Sequence, residues 1–401
     1  MISKRPIRIG LIGSGYIARG LITLLACRTD LTISKVLTRC EPTTRSDFPA
    51  QNLLTNSIHD LIDHSDLAVE CSGDVLHGTA MLLAVMDAEL PVVTLDPTLQ
   101  VTTGSYFVDK GFITEAEGYA PGSLAALHEE VIQMGFKPLV YGNSSNSLNK
   151  NPHPDVMLTM AKKQGVSLNR VVAAIDGTQT QFEQVLVANG LGADIAKTGL
   201  LYLQADTLEE GANLLAALAK GKGTPLADCL VPTAGIGHKL PADIFVTAEH
   251  EQHQQEFLRY YQLGDGPYYT LRRSYCLPHL DLVKTICRVV HGGGVLLTNS
   301  ATPRFSVAAR AKRALKQGER IEWGIGSFDV RGVAVRITEH PGHVPIGLLQ
   351  RAVVKHALEP GQLLTFADLE FPNSIAKQAW LEIEQSVTMG VETTSYRPVW
   401  A

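Results

Sequence analysis

A glycine-rich turn near the start of the chain constrains the fold more than any other segment. The apolar stretch 7–12 predicts a strand, Gly13-Ser14-Gly15 follows it directly, and residues 16–25 predict an apolar helix. Gly13 permits a tight turn from strand to helix, and Gly15 allows a pyrophosphate to approach the backbone at the helix N-terminus. The alternative is a purely structural turn. The pattern favours a dinucleotide-binding fold of the Rossmann type. The predicted cofactor-binding residues here are Gly13, Gly15, Tyr16 and Ile17.

The end of the second predicted strand indicates which dinucleotide this site would bind. Residues 31–37 predict that strand, and Thr38 and Arg39 follow it. A carboxylate at this place commonly binds the ribose hydroxyls of NAD, whereas an arginine can pair with the 2′-phosphate of NADP. No carboxylate stands between Leu37 and Cys40. We therefore expect NADP, bound partly by Thr38 and Arg39; the alternative is that Arg39 is a solvated loop cation.

Strand and helix segments continue to alternate up to residue 141, which predicts a doubly wound α/β sheet. Ligands of such sheets bind beyond the carboxyl ends of the strands. One buried strand is predicted to end at Cys71-Ser72-Gly73, and another ends just before Asn143. We expect Cys71, Ser72, Gly73 and Asn143 to contact the cofactor, although Ser72-Gly73 as an ordinary turn is the alternative.

Composition argues against several other classes of function. The net charge of −5 leaves no basic surface for nucleic acid or an anionic membrane. No apolar run reaches the roughly 18 residues that a membrane-spanning helix needs. The six cysteines are scattered without a Cys-x-x-Cys pair, as expected of reduced thiols. We expect a cytoplasmic protein of two or three domains that acts on a small molecule.

Three polar residues in the middle of the chain are candidates for acid–base chemistry. Asp176 follows a predicted strand over 171–175, Glu183 lies in a predicted helix, and Lys197 comes shortly after. Such groups can orient a carbonyl oxygen and move its proton, and Asp176 with Glu183 could also bind Mg²⁺ or Mn²⁺. The structural alternatives are a turn cap for Asp176 and surface charges for Glu183 and Lys197.

The last third of the chain contains two further features. His279 and Asp281 are spaced as neighbours on a strand face, which makes them a minor candidate for a metal or acid–base role. Residues 312–321 are echoed by residues 355–364, each copy with a glycine turn followed by an apolar pair. Two copies fit related hairpins of a small β-rich domain over about 305–371, and one amphipathic helix is predicted after it.

Several motifs occur together: Gly-Leu-Ile-Gly-Ser-Gly at 10–15, Gly-Phe-Lys-Pro at 135–138, Asp-Gly-Thr at 176–178 and Gly-Asp-Gly-Pro at 264–267. In this combination the chain resembles homoserine-dehydrogenase-like oxidoreductases with a C-terminal SAF domain, a family that includes 1-deoxy-D-xylulose 5-phosphate reductoisomerase-like enzymes. The resemblance implies a homodimer with an NADP-binding Rossmann domain (1–142), an α/β catalytic and dimerisation domain (143–300), a β-clip-like SAF domain (301–375), and a helix with a tail (376–401).

The resemblance also implies NADP-dependent interconversion of a carbonyl and an alcohol on a small polar metabolite, phosphorylated or not. A reductoisomerase is one version, and a homoserine-dehydrogenase-type enzyme is the closest alternative. Departures from the family motifs, such as Asp96-Pro97-Thr98 for Asn-Ala-Glu and Gln179 for Lys, indicate a different substrate or impaired catalysis. The rival from another class is a non-catalytic NADP-binding sensor or assembly protein.

Overall fold

The structure is a computed structural model that describes residues 5–233 and 239–390. The chain divides into two compact units. Unit 1 comprises residues 1–123, 276–302 and 374–401, and unit 2 comprises residues 124–275 and 303–373. Among the described residues, no helix is both long enough and apolar enough to cross a membrane.

Unit 1 is built on a six-stranded sheet. Its strands are β1 (Ile7–Ile12), β2 (Leu31–Leu37), β3 (Leu54–Thr55), β4 (Leu67–Glu70), β5 (Val92–Thr94) and β6 (Ile113–Glu115). They are parallel in the order β3-β2-β1-β4-β5-β6. Strand order reverses between β1 and β4, which is where a Rossmann sheet binds its dinucleotide. The predicted doubly wound α/β fold is confirmed.

Within residues 5–113, five α-helices belong to this sheet. They are α1 (Tyr16–Leu25), α2 (Ile58–Asp63), α3 (Val75–Asp87), α4 (Pro97–Leu99) and α5 (Ser105–Phe107), the last two joined by a π-helical turn, Gln100–Gly104. Side chains cap three of them, α2, α3 and α4. The Ser57 side chain accepts a hydrogen bond from the Asp60 N–H, and the Asp74 side chain accepts one from the His77 N–H. Such caps satisfy N–H groups that the first helical turn leaves free.

Unit 2 contains a mixed five-stranded sheet and a set of helices. The strands are β7 (Lys137–Ser144), β8 (Leu203–Ala205), β9 (Leu226–Pro232), β10 (Ile244–Glu249) and β11 (Tyr268–Arg273), in the order β11-β10-β7-β9-β8. The helices are α6 (Ala120–Gln133), which begins in unit 1, and α7 (Pro154–Gln164), α8 (Leu168–Ile175), α9 (Thr178–Gly190), α10 (Leu208–Lys222) and α11 (Gln255–Tyr260). Helix α9 is buried almost throughout, including Gln181, Glu183 and Gln184. Burying a polar side chain costs free energy unless it forms hydrogen bonds, as Gln181 and Glu183 do.

The β-rich part of unit 2 brings the two copies of the internal repeat together. Its strands are β12 (Phe305–Ala311), β13 (Arg320–Trp323), β14 (Val330–Arg336), β15 (Gln350–Val354) and β16 (Leu369–Glu370). The strands β12 and β13 that flank the first copy do not pair as a hairpin. The two copies bind each other symmetrically, because Leu315 and Leu358 exchange both backbone hydrogen bonds, at 3.0 and 2.9 Å. The equivalent glycines repeat the pattern, since the N–H of Gly318 donates to Val354 and that of Gly361 donates to Ala311. The repeat therefore forms one paired structure.

Two predicted strands are wrong. Residues 171–175 lie in α8, where Val171, Val172 and Ile175 are buried at helical spacing and Ser167 caps the first turn. The run of β-branched residues suggested a strand, but one-sided burial stabilises the helix instead. His279 and Asp281 lie in α12 (Pro278–Val290), a helix of unit 1 that also has a one-sided apolar face. The predicted C-terminal helix is confirmed as α13 (Ile375–Met389).

The two units differ from the predicted domains. The predicted boundary at 142 and 143 falls within β7, which pairs with β9 and β10 in unit 2. Residues 276–302 and 374–390 belong to unit 1, although long stretches of unit 2 precede each of them. Prediction from sequence assigns continuous segments, whereas packing joins segments that are distant along the chain.

Candidate functional site

The glycine turn of unit 1 has the geometry of a dinucleotide site. Gly13 has φ +112°, and a Cβ there would lie 2.8 Å from the Ser72 Cα, so only glycine fits. A Cβ at Gly15 would meet nothing within 4 Å, which leaves open space at the N-terminus of α1. Tyr16 is exposed and Ile17 packs into the core. The turn fits a pyrophosphate, but the Ile17 side chain is not available to it.

Polar and cationic side chains gather where β2 ends. The Ser14 hydroxyl donates to the Thr38 hydroxyl at 3.1 Å, which joins the glycine turn to the end of β2. The Arg39 guanidinium is largely exposed and lies 2.7 Å from an Asp74 carboxylate oxygen. The structure thus places Thr38 beside Ser14, and it places Arg39 against Asp74, the residue that caps α3.

Arg45 is a second guanidinium at this place that sequence reasoning missed. Its Nη1 donates to the Ser14 hydroxyl at 3.3 Å, and its Nε binds Asp47 at 3.0 Å. Its guanidinium also lies 5.9 Å from the centre of the Phe48 ring. These contacts hold the side chain in place. The signal in the sequence is an arginine in the short loop after β2, but only the fold shows that this loop returns to the glycine turn.

The segment after β4 is held by a buried carboxyl group. Glu70 accepts hydrogen bonds from the Ser72 N–H at 2.9 Å and from the Ser72 hydroxyl at 2.5 Å. Burial and the neighbouring Asp96 raise the pKa of Glu70 well above its usual range. Burial also raises the pKa of Cys71, so this thiol is neutral. Glu70 therefore shapes the Ser72–Gly73 loop that packs on Gly13.

In unit 2, Asp176 forms a buried ion pair rather than an open acid. It lies at the C-terminal end of α8, accepts a hydrogen bond from the Thr178 N–H, and lies 2.6 Å from Lys312 Nζ. Both side chains are at most 4% exposed. Burial raises the pKa of Asp176 and lowers the pKa of Lys312. Sequence reasoning did not foresee Lys312, which the β-rich part contributes.

Glu183 is an acid with the properties needed for proton transfer. One oxygen accepts from Gln179 Nε2 at 2.9 Å and the other from Asn143 Nδ2 at 3.3 Å. Burial raises the pKa of Glu183 to about 7. The Asn143 Oδ1 is buried and has no hydrogen-bond partner among the described residues. This pair combines an acid poised near neutral pH with an amide that has an unused acceptor.

Four cations lie together in unit 2, and one of them, Arg331, is close enough to Asp176 for the carboxylate to act on it. Arg310 and Arg331 are directly opposite on the antiparallel pair β12 and β14. Burial lowers the pKa of Lys150, and the charges of Arg331, Lys197 and Arg310 lower it further. The Lys150 ammonium also lies 5.9 Å from the centre of the Tyr202 ring. We call Lys150, Lys197, Arg310 and Arg331 the cation cluster. Lys197 is one of the catalytic candidates that the sequence predicts.

The two arginines of the cation cluster are poorly compensated by anions in the described part of the chain, whereas Lys197 lies within electrostatic reach of the buried Asp228 carboxylate. Neither arginine forms an ion pair there, and the Arg310 Nε is buried without a hydrogen-bond partner. The nearest carboxylate that acts on Arg331 is Asp176, which Lys312 already neutralises. Like charges opposite each other in a sheet are destabilising. This arrangement suits an anionic ligand.

Asp176 and Glu183 do not form a shared metal site. Asp176 is bound to Lys312, and Glu183 is bound by two amide groups. Across residues 5–233 and 239–390, no group of three or more His, Cys, Asp or Glu side chains is placed to hold a metal ion. The donor set does not fit Mg²⁺ or Mn²⁺, which require several oxygen ligands.

Comparison with known proteins identifies the class of reaction. Residues 118–282 match the family described as oxidoreductase DRL, catalytic domain. This match accompanies a parallel sheet whose strand order and glycine turn are those of dinucleotide-binding folds. The chain is an NAD(P)-dependent oxidoreductase. The expected enzyme class is confirmed, and no curated protein matches the chain.

Several solved structures are distantly similar to this oxidoreductase. A homoserine dehydrogenase from Thiobacillus denitrificans is 12% identical with a TM-score of 0.45, over 82% of this chain and 91% of that one. A probable dehydrogenase from Thermotoga maritima is 13% identical with a TM-score of 0.40, over 72% and 90%. A putative myo-inositol dehydrogenase from Sinorhizobium meliloti is 11% identical with a TM-score of 0.38, over 72% of this chain and 90% of that one. These likenesses do not bear on the substrate.

Proposed function

We propose that this oxidoreductase uses NADP(H) to interconvert a carbonyl and an alcohol on a small metabolite that carries a phosphate or similar anionic group. The observation that carries this proposal is the cation cluster. Lys150, Arg310 and Arg331 lie in one electrostatic neighbourhood with no paired carboxylate in the described residues. Holding such charges together is unfavourable unless an anion binds among them.

The choice of NADP rests on the end of β2. Arg45 donates to the Ser14 hydroxyl, Arg39 follows Thr38 and pairs with Asp74, and guanidinium groups bind phosphate through paired hydrogen bonds. The two nearby carboxylates, Asp74 and Asp47, are already engaged by these arginines. A 2′-phosphate can therefore take the place of one partner. When bound, NADP(H) supplies or accepts the hydride.

The residues of unit 2 take distinct roles in this proposal. Glu183 gives or takes the proton of the substrate oxygen, because its pKa is about 7. Asn143 holds the Glu183 carboxyl group and offers its free Oδ1 to a substrate hydroxyl. The cation cluster, including Lys197, binds the anionic group. Asp176 is a positioning residue, because its ion pair holds the Lys312 side chain in place.

The side chains around Asp176 and Glu183 help to choose between dehydrogenation and reductoisomerisation. Asp176 and Glu183 do not form a metal site. We therefore favour one-step dehydrogenation, which needs no divalent cation at these carboxylates, over reductoisomerisation. The backbone pairing between the two repeat copies, at Leu315 and Leu358, supports an SAF-like module, which contributes Arg310, Lys312 and Arg331 to unit 2. We retain a homodimer as a proposal that rests on the family resemblance.

The test is NADPH oxidation with matched pairs of carbonyl compounds, each pair differing only in one phosphate. Calorimetric titration with NADPH and NADH should precede it, with Gly15→Trp as the variant that blocks the turn. We expect micromolar NADPH binding and turnover only of phosphorylated compounds. Turnover of the uncharged members alone would refute the anionic substrate. Tight NADPH binding without oxidation by any compound would favour the sensor.

A further inference from the structure

A short backbone segment next to the cation cluster has an unusual conformation. Gly199, Leu200 and Tyr202 have φ values of +80°, +62° and +51°. A glycine adopts this left-handed region freely, but bulky residues such as leucine and tyrosine rarely do. Two such residues within three positions must be held by other contacts. We call residues 199–202 the left-handed segment.

Asp228 supplies those contacts. It lies within β9, fully buried, and its carboxylate accepts hydrogen bonds from the N–H groups of Leu201 at 2.9 Å and Tyr202 at 3.0 Å. It also accepts one from its neighbour Cys229 at 2.8 Å. Three N–H donors compensate the burial of one carboxylate. The same bonds fix the left-handed segment to the sheet.

The left-handed segment carries groups that face the cation cluster. The Tyr202 hydroxyl accepts from Gln181 Nε2 at 2.8 Å, and the ring lies 5.9 Å from the Lys150 ammonium. Lys197 lies two residues before Gly199, and its carbonyl accepts a hydrogen bond from the Leu200 N–H. The position of both Tyr202 and Lys197 thus depends on how this backbone is held.

We infer that Asp228 is a positioning residue for anion binding: its carboxylate holds the left-handed segment so that Tyr202 and Lys197 complete the cation cluster. This inference rests on the proposed function, in which that cluster binds the anionic group of the substrate. Asp228 itself touches neither substrate nor cofactor. Its loss therefore acts on binding through Tyr202 and Lys197.

The experiment compares Asp228→Asn with Asp243→Asn in the full chain. Asp243 is a buried aspartate of the same unit whose carboxylate faces Arg272 instead. The probe is sulfate, which stays dianionic across the working pH range, and its affinity is measured by calorimetry. In Asp228→Asn we expect sulfate to bind at least tenfold more weakly, with faster hydrogen exchange at the Leu201 and Tyr202 amides. NADPH affinity should be unchanged, and Asp243→Asn should bind sulfate as the wild type does.

The outcomes separate the two proposals. If the wild type binds no sulfate, the anionic substrate class is wrong and the positioning role falls with it. If the wild type binds sulfate and Asp228→Asn binds it equally well, only the positioning role is overturned. Should Asp228→Asn fail to fold, hydrogen exchange of the wild type decides: rapid exchange at the Leu201 and Tyr202 amides would refute the role of Asp228, and protection that increases with sulfate would support it.

Discussion

Arg310 and Arg331 face each other across β12 and β14, and burial lowers the pKa of both guanidinium groups. Each loses favourable hydration, and the two charges repel. A protein that served only to hold its fold would gain by replacing one of them. In the proposed function, an anionic ligand bound between the two guanidinium groups offsets both costs.

Arg331→Met should therefore separate stability from binding. Removing one of two opposed charges should raise the free energy of unfolding by up to about 1 kcal/mol. The loss of a charge-assisted hydrogen bond should weaken sulfate binding by about 1.5–3 kcal/mol. Urea unfolding and calorimetry measure the two effects. Arg320→Met, at an exposed arginine that pairs with Glu322, is the control. A less stable Arg331→Met that binds sulfate normally would mean that Arg331 is structural.

The two arginines after β2 should each select NADPH over NADH. Arg39→Ala and Arg45→Ala should each weaken NADPH binding by about 1.5–3 kcal/mol, because each removes charged hydrogen bonds to a phosphate, and should leave NADH affinity nearly unchanged. Calorimetry with both cofactors checks this. Arg28→Ala, whose arginine pairs with Asp30, serves as the control. Equal losses for both cofactors would remove the arginine concerned as a selector.

Glu183 should produce a pH dependence near neutrality. The protonated acid delivers the proton during carbonyl reduction, so that rate should fall as the pH rises through about 7. Glu183→Gln should lose this limb and most of the turnover, while Glu256→Gln, on the exposed face of α11, should keep both. The measurement is a pH–rate profile for kcat. A limb that survives in Glu183→Gln would assign the titration to another group.

Glu183 should also make the stability of the protein fall as the pH rises, whereas a carboxylate whose pKa is lowered by folding makes stability rise with pH. Burial raises the pKa of Glu183 in the folded protein above its value in the unfolded chain. The stability that this group contributes is present at acid pH and is lost as the pH rises through about 7, by up to about 3 kcal/mol. Glu183→Gln should remove this loss. Unfolding at pH 5 and pH 8 checks the difference, and identical pH dependence in wild type and variant would contradict it.

The ion pair of Lys312 and Asp176 should show strong coupling. Lys312→Met leaves a buried carboxylate without its partner, which should destabilise the protein by about 3–5 kcal/mol. The double variant Lys312→Met with Asp176→Asn should recover much of this loss because no uncompensated charge remains. A double-mutant cycle in urea measures the coupling. Additive losses would show that the two groups act independently.

Local features of the fold were accessible from the sequence because they depend on neighbouring residues. The glycine turn, β2 and the helix α9 were predicted from apolar runs and from the residues that end them. The prediction failed for 171–175, where β-branched residues form α8, and for His279 and Asp281, which lie in α12. In both cases, burial of one face stabilised a helix. This effect outweighed the intrinsic preference of the β-branched residues for a strand.

By itself, the sequence determined the dinucleotide turn, the arginine after β2 and the acids at 176 and 183. Only the tertiary structure decided what those acids do. Packing of the β-rich part within unit 2 pairs Lys312 with Asp176 and sets Arg310 opposite Arg331. Glu183 instead accepts hydrogen bonds from Asn143 and Gln179. The physical reason is that the charge state of a buried group depends on side chains that approach it in space, and these come from segments far apart along the chain.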